Sequence, residues 1–171
     1  MLTVEDGTGL EDANTYASVS ETDDYHALRG NAQWDELSNN AKESALVKAT
    51  DYIDTRWGGR FRGSPLESGQ ALEFPRANLK DRYGRDITGV PDKVKKAAAE
   101  YALRAIVSDL MPDPEFDSTG ARVTRRTEIV GPIEETVEYA ENGVSAITRP
   151  YPAADKLLAD FVTQGGRLSI G

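Results

Sequence analysis

The segment Arg56-Trp57-Gly58-Gly59-Arg60-Phe61-Arg62-Gly63 holds the residue types that grip a single nucleic-acid strand. Aromatic rings stack on bases, and guanidinium groups meet phosphates. Arg82, Tyr83 and Arg85 repeat the combination further along. The same residues also fit a plainer arrangement, with Trp57 and Phe61 in the core and the arginines bridged to carboxylates of the acidic N-terminal third. The acidity of the chain favours that arrangement. His26 is the only histidine. A serine–histidine pair would need it, but no nucleophile elbow lies near, so it reads as a partly exposed helix residue. Asp51 and Asp54 are three apart on a helix and could pair for a metal or for acid–base work. No HExxH or DxD pattern accompanies them, and they read as solvated surface. Glu134, Glu135, Glu138 and Glu141 resemble a metal site only in charge, and a solvated sheet face is the better reading. Gly7-x-Gly9 lacks the third glycine and the lysine of a phosphate loop. No catalytic constellation, metal site or cofactor is expected, so the chain reads as a non-enzyme.

Composition sets the frame for these residues. At 171 residues the chain is long enough for one domain with a real core. The formal net charge of -9 argues against general nucleic-acid binding, because phosphate contacts need positive charge. That charge is uneven. Basic residues crowd the middle, from Arg56 through Arg62, Arg76, Lys80, Arg82 and Arg85 to Lys96, between acidic ends. Cysteine is absent, which removes disulfides, thiolate metal sites and a cysteine nucleophile. No apolar run approaches the roughly 20 residues that span a bilayer, and the N-terminus lacks the pattern of a signal peptide.

The elements that must position these residues are mostly helices. Leu46, Ala49, Ile53 and Trp57, widened by Ala45 and Tyr52, predict a central helix over Ser38–Trp57. Ser38 or Asn40 caps it, Asn40 with Glu43 approximating a capping box, and Gly58-Gly59 ends it in a left-handed turn. Lys42, Glu43, Thr50, Asp51 and Asp54 fall on solvated faces. Residues 1–19 read as an extended arm. A short helix from Ser20 to Arg29 follows, with Asp23 at the capping-box position and Tyr25 and Leu28 facing the core. A single turn over Asn31–Leu37 carries Trp34. Residues 58–90 read as a structured loop that touches something. Pro91 opens a second long helix to about Met111, with Val94, Ala98, Tyr101 and Ala105 as its stripe. Ala97-Ala98-Ala99 permits close approach to Ala45 and Ala49. Residues 121–148 switch to a strand pattern, with Asn142-Gly143 as the hairpin signal. A last helix near Ala153–Val162 precedes a tail, 163–171, with Leu168 and Ile170 at alternate positions. The fold class is therefore mainly α: a single domain, 1–171, with a bundle of about four helices, a projecting β-hairpin and an extended C-terminal segment.

Several runs resemble a family of tailed-phage head–tail connector (adaptor) proteins, often labelled DnaT-like single-strand-binding proteins. They are Val4-Glu5-Asp6-Gly7-Thr8-Gly9-Leu10, Asn14-Thr15-Tyr16, Tyr25-His26-x3-Gly30-Asn31-x2-Trp34 and Ala49-x2-Tyr52-Ile53-Asp54. Gln70-Ala71-Leu72-x-Phe74-Pro75-Arg76, Val90-Pro91-x2-Val94-Lys95-x-Ala97 and Arg149-Pro150-Tyr151-Pro152-Ala153-x-Asp155-x-Leu157-Leu158 complete the likeness. It reaches about Val162 and is most specific at Gln70–Arg76. The resemblance implies a virion structural protein, assembled in the host cytoplasm. It would form a homo-oligomeric ring, commonly of twelve subunits, in the phage neck between portal and tail or stopper protein. Double-stranded DNA would pass through the ring without specific binding. The alternative is a single-stranded-DNA-binding replication protein. Candidate interface residues are Trp57, Arg60, Phe61, Arg62, Arg82, Tyr83 and Arg85, with Val123, Ile129, Ile133, Val137, Leu168 and Ile170 as strand edges open to partners.

Overall fold

A computed structural model of the chain describes residues 1–113, 123–129, 134–139 and 149–163. The central helix α3 spans Asn39–Trp57. Its cap is Ser38 rather than Asn40, and the serine Oγ accepts from the Ala41 amide. That contact satisfies one of the donors every first turn leaves free. Ala45, Leu46, Ala49, Tyr52, Ile53 and Trp57 are buried along the predicted stripe. Lys42 and Thr50, expected in solvent, are buried as well. Each is tolerated because it has a partner: Lys42 Nζ lies 2.9 Å from Asp23 Oδ1, and Thr50 Oγ1 accepts from the Tyr16 amide. Gly58 does not take the left-handed conformation; its φ is -47° and the chain tightens into a 3-10 turn, Gly58–Arg60. The glycine gives the Glu73 side chain room, since a Cβ there would sit 2.8 Å from its carboxylate and make it shift.

Residues 1–19 are no extended arm. Val4 bridges to Thr15, and the buried Glu5 carboxylate accepts from the amides of Gly7, Gly9 and Leu10. The backbone donors of the turn are thereby satisfied from inside, which folds the segment onto the body. Helix α1, Val19–Ala27, is capped by Ser18 with Glu21 in a reciprocal capping box, not by Ser20 with Asp23. Its buried face is Thr22 and His26. Leu28 is 87% exposed and Tyr25 half-buried, so the expected core face is corrected. His26 can be buried because both ring nitrogens are engaged. Nε2 donates to the Ala99 carbonyl at 3.1 Å, and Nδ1 faces the Asn31 amide nitrogen at 2.9 Å. Burial pushes its pKa down and keeps the ring neutral. Helix α2, Ala32–Asp35, buries Trp34, whose Nε1 donates to Asp23 at 2.7 Å.

Between the long helices, β1 (Ser64–Pro65) pairs antiparallel with β2 (Arg76–Ala77). Helix α4 runs Asp92–Ala105 with Pro91 as its N-cap. It stops short of Met111, and its end tightens as the Val107 amide donates to the Arg104 carbonyl three residues back. The buried Ala97-Ala98-Ala99 run lets it pack against α3, α1 and α5, the last being Pro152–Leu158. α5 is shorter than expected, and Phe161 reaches the core from the turn beyond it. The protein is mainly helical, with five α-helices among the described residues.

A second compact unit, Met111–Arg149, holds the antiparallel pair β3 (Val123–Ile129) and β4 (Glu134–Tyr139). The two paired strands lie on either side of residues 130–133 in the sequence. Asn142-Gly143, Ile133, Leu168, Ile170 and the tail beyond 163 lie outside the described residues.

Candidate functional site

The first arginine–aromatic cluster is interior. Trp57 is 7% and Phe61 6% exposed. Trp57 Nε1 donates to the Tyr101 hydroxyl at 3.2 Å, and Phe61 meets Phe74 edge-on at 4.8 Å between ring centres. Neither ring can receive a base. The arginines around them bridge, but not to the N-terminal third as the sequence suggested. Arg56 holds Asp155 in a two-pronged contact at 3.0 and 2.9 Å. Burial would lower the Arg56 pKa; Asp155, Tyr52 and Tyr101 together outweigh it, so the net shift is upward. The buried Arg76 donates to the carbonyls of Arg62, Glu73 and Gly63 at 2.8, 3.0 and 3.0 Å, and to the Glu73 carboxylate at 2.6 Å. Arg60 alone of this set stays exposed, over the Trp57 ring at 4.9 Å.

Asp54 is no solvated partner of Asp51. Its carboxylate accepts from the Tyr16 hydroxyl and, at 3.1 Å, from the Glu73 amide. Burial pushes its pKa up to about 6. It ties the central helix to the N-terminal segment and to the Gln70–Arg76 run.

The second cluster sits at an exposed tip. Lys80 and Asp86 bridge across it, and Gly84 turns the chain at φ 80°. Asp81 accepts from the amides of Tyr83 and Arg85 at 2.8 and 3.0 Å and from Arg85 Nε at 2.6 Å. Backbone donation from Arg85 is the main reason the Asp81 carboxyl titrates below its usual range. This turn presents Tyr83, 66% exposed, with the guanidinium carbons of Arg82 and Arg85 at 4.7 and 5.2 Å from its ring centre. A cleft of about 500 Å³ opens beside it, lined also by Arg62, Ile87, Pro91, Lys93, Asp160 and Phe161.

Arg62, Arg82, Tyr83 and Arg85 thus come together, while Trp57, Arg60 and Phe61 stand apart from them. Val123, Ile129 and Val137 lie in the strands of the second unit. Sequence reasoning missed Asp81, Lys93 and Asp160 as site residues. The run Asp81-x-Tyr83-Gly84-Arg85 carried a legible signal, an aspartate positioned to cap a glycine turn. Lys93 and Asp160 had none, because 67 residues separate them.

The described part of the cleft can hold an anion and one flat ring by reversible contacts. Among the described residues, no group of three or more His, Cys, Asp or Glu is placed to hold a metal ion. No described helix is long and apolar enough to cross a membrane.

No curated protein and no solved structure matches the chain. A family model does, over residues 1–170, under the description "Putative DnaT-like ssDNA binding protein". With a match over nearly its whole length, the chain belongs to this DnaT-like family.

Proposed function

We propose that the protein binds single-stranded nucleic acid, with one base stacked on Tyr83 and phosphates held by Arg82, Arg85 and Arg62. The observation that carries this is the exposed Tyr83 ring, flanked by two guanidinium groups on a turn that Asp81 holds in shape. The family's description supports it. A single platform on a chain of net charge -9 makes for weak binding, on the order of 1–100 µM at physiological salt. The test is anisotropy of a labelled oligothymidylate titrated at low and at physiological salt. Tyr83→Ala should lose roughly 5- to 150-fold in affinity, the weight of one base–aromatic stack. Absence of saturable binding at low salt, or binding indifferent to Tyr83, would overturn the proposal.

A second reading is a virion adaptor in a phage neck, forming a ring between the portal and the next neck or tail protein. Two observations favour it. The acidity repels passing DNA. The β3–β4 ladder has no third strand among the described residues, which leaves edges for partners. Its test is particle size in solution, followed by electron microscopy after mixing with a portal protein. A monomer that leaves the portal undecorated would sink it.

A further inference from the structure

The cleft beside Tyr83 contains a carboxylate where a phosphate would sit. Asp160 follows α5 and is exposed. Three cations from three separate parts of the fold are directed at it. Lys93, in the first turn of α4, pairs with its carboxylate, and Arg62, after the 3-10 turn, donates to its backbone carbonyl. Arg82, on the tip, lines the same cleft and, with Arg62, adds to the positive charge that lowers the Asp160 pKa after Lys93. Among the described residues Arg82 has no hydrogen bond or ion pair; its only close partner is the Tyr83 ring. Asp81 and Asp92 also line the cleft but are paired with Arg85 and Lys96, so Asp160 is the carboxylate that offsets Lys93, Arg62 and Arg82 there.

We propose that Lys93, Arg62 and Arg82 form a phosphate-binding subsite, and that Asp160 occupies it as an internal competitor. This rests on the single-strand reading above and deepens it. A phosphodiester of a strand whose base lies on Tyr83 takes over the carboxylate's place against Lys93 and Arg82. Asp160 thereby weakens phosphate binding, and its removal strengthens it. Arg62 keeps its Nη2 bond to the backbone carbonyl in either state and adds its charge to the subsite, while Lys93 and Arg82 exchange one anion for another.

Asp160→Asn removes the charge and retains the shape and the carbonyl. Its affinity for oligothymidylate at low salt should rise roughly fivefold or more, the effect of deleting one like charge a few ångström from a phosphate in high dielectric. Lys93→Gln should weaken binding and flatten the salt dependence by about 0.7 in log–log slope, one phosphate contact on a single strand. If the wild type binds through Tyr83 while Asp160→Asn binds no tighter, the inference is wrong and the single-strand reading stands. If no variant binds oligonucleotide, that reading falls. The subsite is then decided by pyrophosphate titrated into Asp160→Asn, followed by nuclear magnetic resonance of the Lys93 and Arg82 side chains. Saturable shifts lost in Lys93→Gln uphold a phosphate subsite for a ligand other than a strand. Their absence overturns it.

Discussion

Phe61 and Tyr83 each lie beneath an arginine, Arg76 at 5.9 Å and Arg82 at 4.7 Å, yet one pair is core and the other is surface. Arg76 is buried because backbone carbonyls of Arg62, Glu73 and Gly63 converge on its guanidinium. It staples the loop from inside. Among the described residues Arg82 meets no carbonyl, and its guanidinium is left at the surface. The carboxylates of the two regions diverge in the same way. Burial raises the Asp54 pKa to about 6, whereas backbone donors lower that of the exposed Asp81. An arginine beside an aromatic residue therefore does not mark an interface. What decides is whether backbone acceptors have already claimed the guanidinium.

The largest test of this difference is Arg76→Ala. It strands several buried carbonyls and should cost about 3–4 kcal/mol. For a chain of this size that lowers the melting temperature by about 10 °C. Arg82→Ala should change it by no more than about 0.5 kcal/mol. Equal melting of the two variants would abolish the distinction between staple and free cation.

Two glycines sharpen the contrast. Gly63 has φ 75°, and a Cβ there would stand 2.4 Å from the Ala77 carbonyl oxygen, so Gly63→Ala should cost roughly 2–4 kcal/mol. Gly84 has φ 80° with nothing within 4 Å, so Gly84→Ala should cost only about 1–2 kcal/mol, the left-handed penalty alone. Urea unfolding of both variants measures this. A larger loss at Gly84 would mean that the tip is packed and the inner loop open.

The carboxylates predict opposite pH responses. The folded pKa of Asp54, about 6, lies above its ordinary 3.8. Its contribution to stability is therefore full below about pH 4 and is lost as pH rises through about 6. Stability of the wild type relative to Asp54→Asn should fall by about 2 kcal/mol between pH 4 and pH 7. A flat difference across that range would show that Asp54 is solvated. Asp81, shifted downward, acts in the other direction. Its hold on the tip persists above the ordinary carboxylate range and is lost as pH falls below it, which amide exchange at Tyr83 and Arg85 should report. The smallest expected effect is that of Tyr83→Ala on stability, within about 0.5 kcal/mol of the wild type. A larger loss would show that the ring belongs to the core.

Local pattern was enough for much of the frame. The apolar spacing from Ala45 to Trp57 is a helical period, and those residues are buried on α3. Ser38 before the helix and Pro91 before α4 mark their starts because caps depend on neighbours in sequence. A mainly helical fold with one hairpin follows from such periodicities. Tertiary structure decided which polar residues lie inside. His26, Lys42, Arg76 and Glu5 are of types that sequence places in solvent, and each is buried with a specific partner. It also separated Phe61 from Tyr83 and brought Lys93 to Asp160. The reason is common to all of these. A periodicity is a property of consecutive residues, whereas the burial of a charge depends on whether a partner arrives from elsewhere in the chain.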